Sequence, residues 1–271
     1  MSFRFSHLLL SLLVSGAVSV TQAQTTVDLP VSADTAIFSA YPDDNFGAST
    51  LQVGANALGQ PGRSLLLFDL STLPAGAIIT SASISMTVVR MPPIDGMAQP
   101  LGSDFELYKM YVPWEAGNGT GNSGFPGQPG ETTWNLRVVG DNGIGDAPWN
   151  TPGGAIGEDF ASAASASASI GTTLGLDVWG STPQFVADVQ SWLDDPSQNF
   201  GYMVISSAET TGGTGRRIAS LENAGGVNPP PAPPSLTVTY TTAPEPASAT
   251  FIAAGLAIFA GRRTRRTQLA R

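Results

Sequence analysis

Ala82, Ile84, Met86 and Val88 alternate along the chain with Ser81, Ser83, Ser85 and Thr87. That period of two predicts a strand with one apolar and one wettable face, its apolar residues in the core. Just upstream, residues 65–70 are almost continuously apolar, with only Asp69 inserted, which predicts a strand covered on both faces. Leu73-Pro74-Ala75-Gly76 supplies turn-forming residues between the two, so residues 63–89 read as a hairpin that opens an antiparallel sandwich.

The same alternation recurs more weakly at residues 26–38, 51–54, 105–112, 200–205, 217–221 and 236–240. One stretch departs from it. Phe185, Val186, Val189, Trp192 and Leu193 repeat at three- and four-residue spacing after Pro183, predicting a short helix over 185–193 that stops at Asp194-Asp195-Pro196. Residues 117–130 and 141–157 are Gly-rich and irregular, the kind of loop in which a sandwich carries function. Many short strands, Gly/Pro turns and one helix predict an all-β fold, a jelly-roll-like antiparallel β-sandwich over residues 24–243.

Both ends of the sequence differ from this middle. Residues 1–23 combine Arg4, an apolar run and Ala23 at a cleavage position, which reads as a signal peptide and implies export. Residues 244–271 carry Pro244-Glu245-Pro246, a fifteen-residue apolar segment and an arginine cluster that includes Arg262 and Arg263.

Composition then narrows the chemistry. The chain has no cysteine, and its one histidine, His7, lies in the leader; thiolate and histidine metal sites and a Ser-His-Asp triad are thereby excluded from the domain. Residues 24–243 contain 20 acidic against six basic residues, a net charge of −14, so nucleic acid is not an expected partner. Among the basic residues Arg63, Arg90, Lys109 and Arg137 are candidates for holding a sugar carboxylate, because a guanidinium meets a carboxylate through two parallel hydrogen bonds. Trp114 and Trp134 flank the first Gly-rich loop and are candidates for stacking on a pyranose ring. Trp179 and Trp192 read as core. Asp34, Asp43 and Asp44 offer oxygens for a structural Ca²⁺, although they do not reproduce the twelve-residue calcium loop. No pair of acids is singled out for catalysis, so no catalytic residue and no organic cofactor is expected.

Two resemblances add to this reading. The succession ADTAIFSAYPDDNFGASTLQVG, RSLLLFDLSTLPAGAIITSASISM, VPWEAG, TTWN, FVADVQSWLDDPSQNFGYMV and RIASLEN before PPSLTVTY resembles the DNRLRE, or disaggregatase-related, domain of secreted proteins. That resemblance implies a non-catalytic, carbohydrate-binding module, with a divergent lyase or glycosidase or a purely structural surface protein as alternatives. The tail is similar to the PEP-CTERM sorting signal of exopolysaccharide-producing bacteria. It implies recognition by an exosortase-type enzyme, transient residence of the tail in the inner membrane as a transmembrane segment, and delivery to the envelope or extracellular matrix.

Overall fold

The computed structural model describes residues 23–91, 100–222 and 230–242. The expected signal peptide, but for Ala23, and the expected sorting motif, Pro244, Glu245, Pro246, Arg262 and Arg263, lie outside the described residues. Within them the strands are β1 (Gln24–Phe38), β2 (Asp44–Asn45), β3 (Leu51–Ala55), β4 (Pro61–Phe68), β5 (Ile78–Arg90), β6 (Ser103–Lys109) and β7 (Phe125–Pro126). They continue with β8 (Leu136–Val138), β9 (Ala147–Pro148), β10 (Ala166–Ile170), β11 (Gly175–Trp179), β12 (Tyr202–Ser206), β13 (Arg216–Ile218) and β14 (Ser235–Thr241). Helix α1 (Pro183–Asp194) separates β11 from β12. The fold is all-β and its named strand pairs are antiparallel, as the alternation predicts.

β1 builds both layers of the sandwich. Its residues 24–30 pair with β14, the register shifts between Val31 and Ala33, and residues 34–38 continue along β4. β3 divides itself in the same way, pairing with β13 through residues 51–53 and with β4 through Gly54 and Ala55. One layer therefore contains β14, β5, β11 and β13, the other β4, β12, β6 and β10, and two shared strands stitch the layers together.

Ala82, Ile84, Met86 and Val88 of β5 are buried in the core between the layers, while Ser81, Ser83, Ser85 and Thr87 stay partly exposed, so the predicted register holds. The predicted hairpin does not. β4 bonds to β1, β3 and β12, whereas β5 bonds to β14, β13 and β11, so residues 69–77 cross from one layer to the other. The linker spans that gap because Leu70, Leu73 and Ala77 are themselves buried in the core, fixed by turns from Leu73 N to Leu70 O and from Ala77 N to Pro74 O. Pattern alone specifies each strand's face but not its partner.

α1 begins at Thr182, whose Oγ1 accepts from Phe185 N at 3.0 Å, with Pro183 in the first turn. Its apolar stripe buries Phe185, Val189 and Trp192 in the same core, where the Phe185 and Trp192 rings meet Tyr202 edge-on.

The layer of β4 and β12 is covered on its outer face as well. Leu65, Met203 and Ile205 point outward into a second cluster with Met110, Trp114, Trp134, Trp149 and Phe160, residues supplied largely by the irregular stretches between β6 and β10. Those stretches obtain their backbone partners from buried polar side chains. Asn45 is the clearest case: its Nδ2 donates to Ala116 O and Thr132 O, both at 2.8 Å, and its Oδ1 accepts from Gly47 N and Gly119 N. Glu131 accepts from Asn118 N and Gln128 N, and Asp159 from Asn150 N and Ala155 N.

Asn45→Ala strips partners from four backbone groups in a buried setting. Each orphaned group costs about 1–3 kcal/mol, so a loss of roughly 3 kcal/mol or more is expected in urea denaturation. A loss below about 1 kcal/mol would show that the loops do not depend on this residue.

Candidate functional site

β13 is three residues long and lies between β3 and β5. Its alternation sends Arg216 and Arg217 to opposite sides, and their environments differ accordingly. Arg216 is buried, and its guanidinium donates to the carbonyls of Leu101, Gly171, Gly213, Thr214 and Gly215. It is a strut that gathers three loops. Burial pushes its pKa below the ordinary arginine value, and Asp177 partly opposes that shift.

Arg217 sits directly across from Arg90 of β5 on one side and Gln52 of β3 on the other. The register shifts at the next residue, Ile218, and the side chains of Arg90 and Arg217 line the same groove. Among the described residues neither makes an ion pair; Arg217 donates to the amide oxygen of Asn122, and Arg90 has no hydrogen-bond partner. Burial first, and the Arg90 charge second, hold Arg217 below the usual arginine range.

The two arginines line a groove of about 450 Å³ whose walls include Tyr41, Gln52, Asn56, Leu58, Gln60 and Asn122. Tyr41 is 39 % exposed and Leu58 74 % exposed, so the rim offers an aromatic and an aliphatic surface. Phe38 and Phe46 hold the Tyr41 ring from behind, at centroid distances of 6.0 and 6.4 Å. Gln52 Nε2 is buried without an acceptor. Two cations, an amide donor and a hydrophobic rim suit a ligand with a planar acid group on a ring of mixed polarity.

Of the residues singled out in the sequence, only Arg90 lies in this groove. Arg63 is occupied elsewhere: Nε and Nη2 bind Glu209 at 2.9 and 2.7 Å, Nη1 donates to Gly153 O and Gly154 O, and the group lies over the rings of Trp134 and Phe160. Lys109 Nζ donates to Ser191 Oγ at 2.6 Å, lies 3.9 Å from Asp188 Oδ1 and faces Trp192, tying β6 to α1. Arg137 donates to Pro113 O within the loop layer. Trp114 and Trp134 are buried in the second core rather than presented to a sugar, with Trp114 Nε1 donating to Phe200 O.

The three candidate calcium ligands do not converge, and no three Asp, Glu, His or Cys side chains among the described residues are grouped to hold a metal. Asp43 Oδ1 accepts from Asn135 Nδ2, and its carbonyl accepts from Gly127 N, the work of a turn residue. Partial burial, and then the Asp43 charge, raise the Asp44 carboxyl above its ordinary value. Asp34 is instead fully buried on β1, its Oδ2 accepting from Leu221 N at 2.9 Å.

Sequence reading missed Arg217, Gln52 and Tyr41 as a group. The available signal was the doublet Arg216-Arg217 itself, two of only six basic residues in the domain placed side by side in an otherwise apolar strand. Comparison of the chain with family models and with curated proteins finds no match.

Burial raises the Asp34 carboxyl to about 7, opposed by the Leu221 hydrogen bond and reinforced by Glu222. Because its folded pKa lies above its unfolded value of 3.8, the folded state binds the extra proton between those values. Stability is therefore greatest below about pH 4 on account of this group and falls as pH rises to about 7, by at most ~4 kcal/mol. In buffer free of divalent cations, denaturant titrations of wild type and Asp34→Asn should diverge over that interval, with the variant lacking this fall. Parallel pH profiles would contradict the assignment.

Proposed function

We propose that this protein is a non-catalytic module of the cell envelope or extracellular matrix that binds an acidic polysaccharide in the Arg90/Arg217 groove. One observation carries the proposal. Two arginine side chains, Arg90 and Arg217, line one groove, and neither makes an ion pair with another described residue in a domain that has 20 acids. Like charges opposed across strands destabilise a sheet, so an anion held between them is favoured by both. A uronate supplies a carboxylate for the arginines and ring C–H surface for Tyr41 and Leu58. The domain's overall negative charge opposes polyanions at long range, which favours binding at a local site over binding spread across the surface.

The expected result is that purified protein retains a soluble polyuronate in affinity electrophoresis or calorimetry and does not retain a neutral glucan of similar length. Arg90→Ala and Arg217→Ala should each weaken binding about tenfold or more, and binding should fall with added salt. Unchanged affinity in the double variant would sink the groove assignment.

A second reading, a divergent polysaccharide-active enzyme, has one cavity in its favour. Glu106, Tyr108, Arg63 and Glu209 line a space of about 470 Å³ between β6, β12 and the 151–160 loop. Burial first, then a hydrogen bond to Glu106, raise Tyr108 to about 12, which keeps the phenol protonated and unavailable as a base, and Glu209 is paired with Arg63. These features favour binding over turnover at that site as well.

The tail completes the proposal. Its apolar segment of fifteen residues reaches about 22 Å as a helix, short of a ~30 Å hydrocarbon core. The arginines that follow hold its far end in the cytoplasm. That geometry suits a segment presented for cleavage at Pro244-Glu245-Pro246 rather than a permanent anchor. Native matrix protein should therefore end near residues 244–246 by intact mass, and replacing the tripeptide with alanines should leave precursor in the membrane fraction. Matrix protein still ending at Arg271 would falsify this route.

A further inference from the structure

Asp34 lies on β1 beyond the point where that strand passes from one layer to the other. Its side chain is 1 % exposed, and while Oδ2 accepts from Leu221 N, Oδ1 has no partner among the described residues. Ser220 Oγ, one residue before Leu221, is also buried without a partner. Neither ion pair found among the described residues involves Asp34. The charged group beside it is a second acid, Glu222, the residue that follows Leu221, and its charge adds to the rise in the Asp34 pKa. Two carboxylates brought together with no cation repel each other, and burying one of them removes the water that would screen the repulsion.

We propose that Asp34 and Glu222 form the protein part of a calcium site that ties β1 to the segment following β13. The donor set is all oxygen, the choice of a hard cation, and the domain contains no histidine or cysteine to draw a softer metal. Calcium accepts six to eight oxygens in irregular geometry and completes its shell with carbonyls and water, whereas Mg²⁺ demands a near-regular octahedron. The ion removes the like-charge contact and supplies the missing partner of Asp34 Oδ1. Glu222 lies five residues beyond Arg217, so the ion also anchors the strand that carries half of the arginine groove. The site differs from the loop acids Asp43 and Asp44, which are engaged in turns.

The test is calorimetric titration of CaCl₂ into purified protein stripped with a chelator, with melting temperature measured in parallel. Wild type should bind one Ca²⁺ per chain, with a dissociation constant of about 10⁻⁴–10⁻³ M as in extracellular calcium modules. Its melting temperature should rise in millimolar Ca²⁺, and less in equal Mg²⁺. Asp34→Asn, which keeps the side chain's shape, and Glu222→Gln, at an exposed position, should each weaken binding at least tenfold and reduce the thermal shift. The double variant Asp43→Asn/Asp44→Asn should bind like wild type. The proposal is overturned if neither heat nor thermal shift appears in wild type. It is equally overturned if Asp34→Asn and Glu222→Gln both bind Ca²⁺ as wild type does, or if binding is lost in the Asp43/Asp44 variant instead.

Discussion

The structure depends on two neighbouring strands, β4 and β12, that are covered on both faces. In β4, Leu66 and Phe68 point into the sandwich while Leu65 points out of it; in β12, Tyr202 and Val204 point in while Met203 and Ile205 point out. Leaving either face in water would expose several large side chains, each worth about 1.5–3 kcal/mol of burial. The irregular stretches between β6 and β10 therefore have a structural duty before any other: they fold over the outer face and bring Trp114, Trp134, Trp149 and Phe160 with them.

Covering a sheet with loops creates a second problem, because a buried loop has no ladder to pair its amides and carbonyls. Here side chains take the place of the ladder. Asn45, Glu131 and Asp159 each serve backbone groups of the loop layer, and Trp149 Nε1 donates to Thr133 O. Arg63 closes the layer from the β4 side, neutralised by Glu209 and sandwiched near two rings. Close approach follows: a Cβ on Gly47 would lie 2.2 Å from Ala116 O, and one on Gly153 would lie 2.6 Å from the Trp134 ring. The glycines of these stretches are a packing requirement as much as a source of flexibility.

What the amino-acid pattern reveals and what it conceals follow from range. The alternation in β5 and the helical spacing of Phe185, Val189 and Trp192 are local, and both appear where the pattern puts them. The doubly apolar run in β4 correctly implies cover on both faces, but nothing local says that the cover comes from residues 110–165. The hairpin expectation fails for the same reason: a linker with Pro74 and Gly76 looks like a tight reversal, and only its buried Leu70 and Leu73 reveal a crossing between layers. Buried Asn45 reads as a turn former because its four partners are 2 to 87 residues away. At the candidate site, Arg90 is legible as a rare cation, whereas its pairing with Arg217, 127 positions along, is a property of the sheet alone.

Electrostatics gives the arginine groove its meaning within this scaffold. Arg63 and Lys109 are matched with acids at their positions, and Arg216 and Arg137 with carbonyls, so four of the domain's six cations are absorbed by architecture. Among the described residues, Arg90 and Arg217 have no acid partner. The Arg90 charge helps hold Arg217 below the usual arginine range, and the neighbouring Asn122 amide offers Arg217 a dipole rather than a charge in return. A protein with acids in excess has had every means of supplying a carboxylate from within, and sites that violate local consistency are where function is expected. On the proposed reading the missing partner is an anion from outside, and two neighbouring guanidinium groups, one of them held by Asn122, supply the cationic half of its site.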